Sequence, residues 1–196
     1  MYRPVQTQAP ATKPVTLTEV KAHLDVSYSN KDAQIEAYIA AATAHLDGWT
    51  GILGRCLCEQ TWRQDFDRFN RVLRLPLAPV IDVDSVAYED VAGATQTIDE
   101  ANYELLIDDL GPYVKFLDSF AFPQIHDERP AVHVTYLAGY PTVDGVWSGP
   151  ADIKHAILLL VRHWFDNPSA VNVGNIVQVM PMAVDALLAK HRRIRF

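Results

Sequence analysis

Cys56-Leu-Cys-Glu-Gln-Thr-Trp-Arg-Gln-Asp-Phe66 is the stretch at which this 196-residue chain changes period. One face of it reads Cys56, Cys58, Trp62 and Phe66, and the other Glu59, Thr61, Arg63 and Asp65, the alternation of a half-buried strand. Downstream the same period recurs in short runs bounded by Gly and Pro. Val72–Leu75 stops at Pro76, Val80–Tyr88 follows Pro79, and a turn over Asp90-Val-Ala-Gly93 leads to Thr95–Ile98; Tyr103–Ile107, Tyr113–Leu117 and Val132–Leu137 complete the series. Nothing between residues 55 and 140 has helical length or period, so parallel βαβ winding is excluded and an antiparallel meander or small barrel is expected.

Upstream the period is helical. Thr16-Leu-Thr-Glu19 is a capping box, in which hydroxyl and carboxylate satisfy each other's orphan amides. It predicts a helix to about Asp25 with Leu17, Val20 and Leu24 on one face. Ser29-Asn-Lys-Asp32 starts a second helix, and Ile35, Tyr38, Ile39, Ala42, Leu46 and Trp49 keep its spacing until Gly48 and Gly51 end it. Residues 16–54 therefore read as a helical hairpin. Residues 1–15 hold Pro4, Pro10 and Pro14, no acidic residue and few large apolar side chains, so they are expected to form a flexible arm.

Helix returns after the turn-rich stretch 139–150. Pro150 suits a first turn, Asp152 suits the positive end, and Ile153, Ala156, Ile157, Leu160, Val161 and Trp164 form one face. Leu158 and Leu159 lie off that face, and a helix apolar nearly all round is covered on more than one side. Asn167-Pro168 ends it, and a last helix is expected from near Pro181 with Val184, Leu187 and Leu188 on its apolar face. The fold class is α+β, a helical bundle formed by N- and C-terminal helices with an inserted antiparallel β domain. The expected regions are the arm 1–15, the hairpin 16–54, the β insertion 55–140, the turn and central helix 141–167, and a C-terminal loop, helix and basic tail over 168–196.

Seventeen Lys and Arg against 24 Asp and Glu give a net charge of −7, which argues against a protein that coats nucleic acid through phosphate contacts. No stretch of about 18 apolar residues occurs and the first residues lack a signal-peptide core, so no membrane partner and an intracellular site of synthesis are expected. Cys56 and Cys58 cannot close a four-ligand zinc site and read as reduced, packed thiols. The seven histidines include no His-Glu-x-x-His pattern, and His155 and His163 stand two turns apart. Asp82, Asp84, Glu89, Asp90, Asp108 and Asp109 gather at strand ends without the spacing of a calcium loop and read as solvated turn residues. Phosphate-loop and nucleophile-elbow patterns are missing. No catalytic residue, metal or cofactor is expected.

Two features stand out instead. Trp147, Leu158, Leu159, Trp164 and Phe165 exceed what one core requires, as residues at association surfaces do. The final Lys190-His-Arg-Arg-Ile-Arg-Phe196 holds four of the seventeen basic residues and no carboxylate. Such segregation suits docking on an acidic or grooved partner.

Eight pieces, in order, resemble the head–tail connector (adaptor) proteins of tailed phages and gene transfer agents. They are Val15-Thr-Leu-Thr-Glu-Val-Lys-Ala-His-Leu24, Asp32 to Gly51, Gln60-Thr-Trp62, Leu73-Arg-Leu-Pro-Leu-Ala-Pro-Val80, Ser85-Val-Ala-Tyr88, Asn102-Tyr103, Val134-Thr-Tyr-Leu-Ala-Gly-Tyr140 and Pro150 to Leu160. The resemblance covers about residues 15–166 and implies a structural part of a virion or phage-like particle, assembled in the host cytoplasm. Similar proteins form a ring, usually of twelve copies, beneath the portal protein. The ring extends the channel for double-stranded DNA, without sequence-specific binding, and offers a docking surface to the next stopper or completion protein. Carried onto this chain, the resemblance puts Leu158, Leu159, Arg162, Trp164 and Phe165 between subunits. It puts Leu187, Leu188, Lys190, Arg192, Arg193, Ile194, Arg195 and Phe196 on the portal. A ring contact is heterologous, so each copy needs two different sticky faces. Alternatives are a tail-completion or stopper protein, a β-domain module for a small ligand or carbohydrate, and a hydrolase whose site forms only in the fold.

Overall fold

In the computed structural model, which describes residues 2–167 and 182–193, Thr16 caps the first helix as its motif requires. Its hydroxyl accepts the Glu19 N–H at 3.2 Å, and the Glu19 carboxylate accepts the Thr16 N–H at 2.8 Å. Helix α1, Leu17–Leu24, buries Val20 and Leu24 and is closed by Asp25 in the left-handed region, at φ 58°. Helix α2, Asp32–Leu46, buries Ile35, Ile39, Ala42 and Leu46. It stops short of Trp49 because the chain folds back on its last turn. Ile52 and Leu53 donate to the His45 and Leu46 carbonyls at 3.0 and 3.4 Å, taking up acceptors a helix end leaves open. Gly51 makes that return possible, since a Cβ there would sit 2.3 Å from the Asp47 carbonyl oxygen.

The chain divides into two units, one comprising Cys58–Gly139 with the residues up to Ala11, the other Thr12–Leu57 with Tyr140 onward. In the second unit, α3 (Ala151–Asp166) touches α1, α2 and α4 (Met182–Ala189). Ile153, Ala156, Ile157, Leu160 and Val161 are buried along it, while Trp164 on the same stripe is half-buried. The loop expected over 168–180 lies outside the described residues. A small hairpin precedes α3, with strands Thr142–Val143 and Val146–Trp147 joined through Asp144 and Gly145, both at positive φ. That pair suits a type I′ turn. Buried Trp147 anchors the hairpin by donating its indole N–H to the Leu57 carbonyl at 2.6 Å.

The β unit departs from the expected sequential pairing. Its strands are β1 (Val5–Gln8), β2 (Gln60–Phe66), β3 (Val72–Arg74), β4 (Val80–Glu89), β5 (Thr95–Ile98), β6 (Tyr103–Asp108), β7 (Gly111–Phe116) and β8 (Val132–Ala138). The small hairpin gives β9 and β10. All pairs in the unit are antiparallel, but of the consecutive strands within residues 58–139 only β4–β5 and β6–β7 pair with each other, while β1 reaches β2 from across the two helices in sequence. One sheet runs β1-β2-β8-β4-β5 and the other β3-β7-β6. The reason lies in β8. Val132, Val134, Tyr136 and Ala138 are fully buried along one face, so the last strand of the unit belongs in the middle of the larger sheet.

Residues 5–8, expected in a flexible arm, form the edge strand β1. Their side chains are exposed throughout, so apolar burial does not hold them. Pairing with β2 does, supported by a 2.6 Å hydrogen bond from Gln6 to Gln60 and by Gln64 donating to the Tyr2 carbonyl at 3.0 Å. Those glutamines also correct the reading of β2. Its inner face buries Gln60 and Gln64 beside Trp62, whereas Phe66 is half-buried. Asp65, expected outside, is buried because it pairs with His133 across the strands at 2.7 Å and with Arg63 at 2.9 Å.

The unit begins and ends at one point. Gln60 is in register with Ala138, and at Gly139, φ 125°, a Cβ would lie 2.0 Å from the Cys58 carbonyl oxygen. Only glycine fits both the backbone and the space. Gly139→Ala should therefore destabilise the fold by at least about 2 kcal/mol, read as an earlier midpoint in urea unfolding followed by circular dichroism. An unchanged midpoint would contradict the close approach.

Candidate assembly surfaces

Among the described residues, no group of three or more His, Cys, Asp or Glu is placed to hold a metal ion, and no helix is long and apolar enough to cross a membrane. Cys56 and Cys58 are buried free thiols. His133 is engaged with Asp65, and the His155 ring meets His23 edge-on at 6.1 Å. An open depression of about 360 Å³ in the β unit is lined by Tyr2, Phe66, Asp67, Arg68 and Arg74 among others. Tyr2 there donates to Asp67 at 2.6 Å and Arg74 to Asp108. Three stretches of surface stand out in the structure.

The first such surface is the flank of α3. Leu158, Leu159, Arg162, Trp164 and Phe165 are all half-buried. Trp164 packs against Tyr38 with ring centres 6.4 Å apart, and the Lys31 ammonium stands 4.8 Å over the Phe165 ring. Arg162 donates to Asp166 at 2.8 Å and to the His23 carbonyl at 3.2 Å. The chain's own contacts thus cover part of each side chain and leave an aliphatic and aromatic strip open.

The C-terminal residues are less free than their sequence suggests. Leu188 is fully buried and Leu187 half-buried, so Leu188 packs α4 in place and has no surface to offer a partner. Lys190 reaches Asp152 at 2.5 Å and His191 reaches the same carboxylate at 3.3 Å. Arg192 pairs with Asp185, and the Arg193 N–H donates to the Leu53 carbonyl at 2.9 Å. The Lys190 ammonium, and then His191, hold the Asp152 carboxyl below its ordinary range. The cationic run is therefore neutralised in part by the first turn of α3 and by α4. Ile194, Arg195 and Phe196 lie outside the described residues.

A third surface was missed at the level of sequence. β6 and β7 stay in register from Tyr103↔Phe116 to Asp108↔Gly111, leaving Asp109 and Leu110 as a two-residue turn. Ile107 is 70% exposed and Leu110 53%. Arg74 on β3 clamps the tip, its two terminal nitrogens donating to the two Asp108 oxygens at 2.9 and 2.7 Å while its guanidinium lies 5.2 Å over the Tyr113 ring. Asp108 also accepts the Leu110 N–H at 2.9 Å. The Arg74 guanidinium, with the Leu110 and Gly111 N–H groups, lowers the Asp108 carboxyl to about 2. The readable signal was Ile107-Asp-Asp-Leu110, two large aliphatics flanking two carboxylates at a turn, where solvated acids alone are the usual content.

A model of the head completion protein family matches residues 14–194. Several solved structures are similar over the whole length. A chain in the neck of an empty gene transfer agent particle, computed with C6 symmetry, has TM-score 0.76 and 24% identity, covering 100% of this chain and 97% of that one. A chain in the virion of a native gene transfer agent particle has TM-score 0.75 and 23% identity over the same shares. A chain in the native neck computed with C12 symmetry has TM-score 0.69 and 20% identity, again over 100% and 97%. No curated protein matches.

The Arg74 clamp sets a pH test. A carboxyl lowered from about 4 to about 2 contributes its stabilisation fully above the ordinary range and loses it as pH falls between the two values. Nuclear magnetic resonance titration should show Asp108 protonating near the lower value, and Arg74→Ala should return its midpoint toward the upper one. A wild-type midpoint already near 4 would show that the clamp does not form.

Proposed function

The chain belongs to the head completion protein family, and we propose that it is the structural head–tail connector of a tailed phage or a gene transfer agent. In this reading it occupies the head–tail junction of the particle after assembly in the host cytoplasm. Copies form a ring, of twelve, under the portal protein, extend the DNA channel and present a docking surface to the next tail component. The observation that carries the reading is the end-to-end likeness to chains of particle necks, joined to a family match over nearly the whole sequence.

The physical features support a mechanical role. The fold is read as a helical bundle around α3 that carries an inserted β domain. In a ring each subunit meets two neighbours through different faces, and the open strip of Leu158, Leu159, Arg162, Trp164 and Phe165 supplies one of them. The portal contact is assigned to Leu187, Lys190, Arg192, Arg193, Ile194, Arg195 and Phe196, with Leu188 withdrawn because it is buried. A conduit must let DNA slide, and a net charge of −7 repels phosphate where a basic lining would grip it.

Leu159→Asp places a charge on the half-buried strip and is expected to keep the variant soluble and helical by circular dichroism while it fails to enter particles. Incorporation at wild-type level would contradict the ring contact. Removing Ile194, Arg195 and Phe196 should abolish retention on immobilised portal without changing the circular dichroism spectrum. Undiminished retention would remove the terminal residues from the contact.

A further inference from the structure

The β unit carries more of the negative charge than its length explains. Residues 58–139 hold six Lys and Arg against fifteen Asp and Glu, whereas the rest of the chain holds eleven against nine. Within this acidic unit the β6–β7 tip exposes two large aliphatic side chains, Ile107 and Leu110, beside Asp108 and Asp109. Other exposed tips differ in what they present. The β4–β5 turn is also braced, Asp90 accepting the Gln96 amide at 2.9 Å, but it exposes a single large aliphatic, Val91, and the β9–β10 tip exposes Val143 and Val146 around one carboxylate, Asp144, in the other, less acidic unit.

The tip is held in one shape before it meets anything. Its strands are paired up to the turn, Asp108 accepts from both terminal nitrogens of Arg74, and the same guanidinium stacks on Tyr113. A surface that is already ordered loses little conformational freedom on binding. Exposed aliphatics held this way suit insertion into a pocket, and the flanking carboxylates select what surrounds it.

We infer that the β6–β7 tip, Ile107 to Gly111, is the plug that seats in an apolar pocket rimmed by Lys or Arg on the protein following this chain on the tail side. The inference rests on the head–tail junction reading and names the element that does the docking. DNA is excluded as the occupant because the carboxylates repel phosphate. A second copy of the chain is a poorer fit, since the described depression combines Arg68 with Asp67, and its Arg74 already holds Asp108.

The test is made in the particle, by replacing the gene for this chain with versions carrying Ile107→Ser/Leu110→Ser, Asp109→Lys, and Val91→Ser as control. Purified particles are examined by electron microscopy for tails and by mass spectrometry for this chain. Both substituted residues of the double variant are exposed, and Asp109→Lys touches only the turn, so neither removes core packing. The inference expects heads that contain the double variant at wild-type amount but carry at least tenfold fewer tails. It expects a smaller loss for Asp109→Lys and normal tailing for Val91→Ser. Normal tailing of the double variant would overturn it, as would heads lacking the variant chain, because the tip would then face the head or a neighbouring copy. Absence of the wild-type chain from particles would instead refute the junction reading itself.

Discussion

The close passage of Gly139 over Cys58 is the constraint on which the β unit depends. There the chain enters and leaves that unit at adjoining points, with Gln60 opposite Ala138 and no room for a side chain between. An excursion of more than eighty residues, from Cys58 to Gly139, can then interrupt a helical unit without separating the two ends of the interruption. The helical unit closes its own side of the gap separately. Tyr140 donates to the Leu57 carbonyl at 3.3 Å, Arg55 reaches the Tyr140 hydroxyl at 3.1 Å, and Trp147 adds its indole bond to Leu57.

The consequence is a division of labour within one chain. The helical unit supplies apolar surface, through the flank of α3, and cationic groups that its own carboxylates only partly neutralise. The β unit supplies negative charge and stiff hairpins. Among the described residues, neither unit places three or more His, Cys, Asp or Glu to hold a metal ion, and the chain belongs to the head completion protein family. A part that works by position requires defined faces, and preorganised hairpins and half-covered helix flanks are what such faces are made of.

Much of this was readable from local pattern. The capping box at Thr16 predicted α1, the alternation at Trp62 predicted β2, and the apolar stripe from Ile153 to Val161 predicted the burial seen on α3, because each depends on residues a few positions apart. What failed to show depends on distant partners. The strand at Val5–Gln8 has no apolar face and is held by backbone pairing to β2. Gln60 and Gln64 are buried through bonds to residues more than fifty positions away or to local carbonyls. The place of β8 between β2 and β4 follows from what covers it, and the cationic tail's docking on Asp152 joins groups 38 residues apart. The aliphatic pair at the β6–β7 tip was visible as letters, but its exposure and its clamp by Arg74 required the register of three strands.

Cryo-electron microscopy of the assembled particle, at a resolution that traces side chains in the neck, tests the central claim most directly. The account predicts this chain as a closed ring of copies between portal and tail, with the α3 flank between neighbours and the DNA path on the ring axis. Density for the neck that fits a different protein, with this chain located elsewhere or missing, would contradict it.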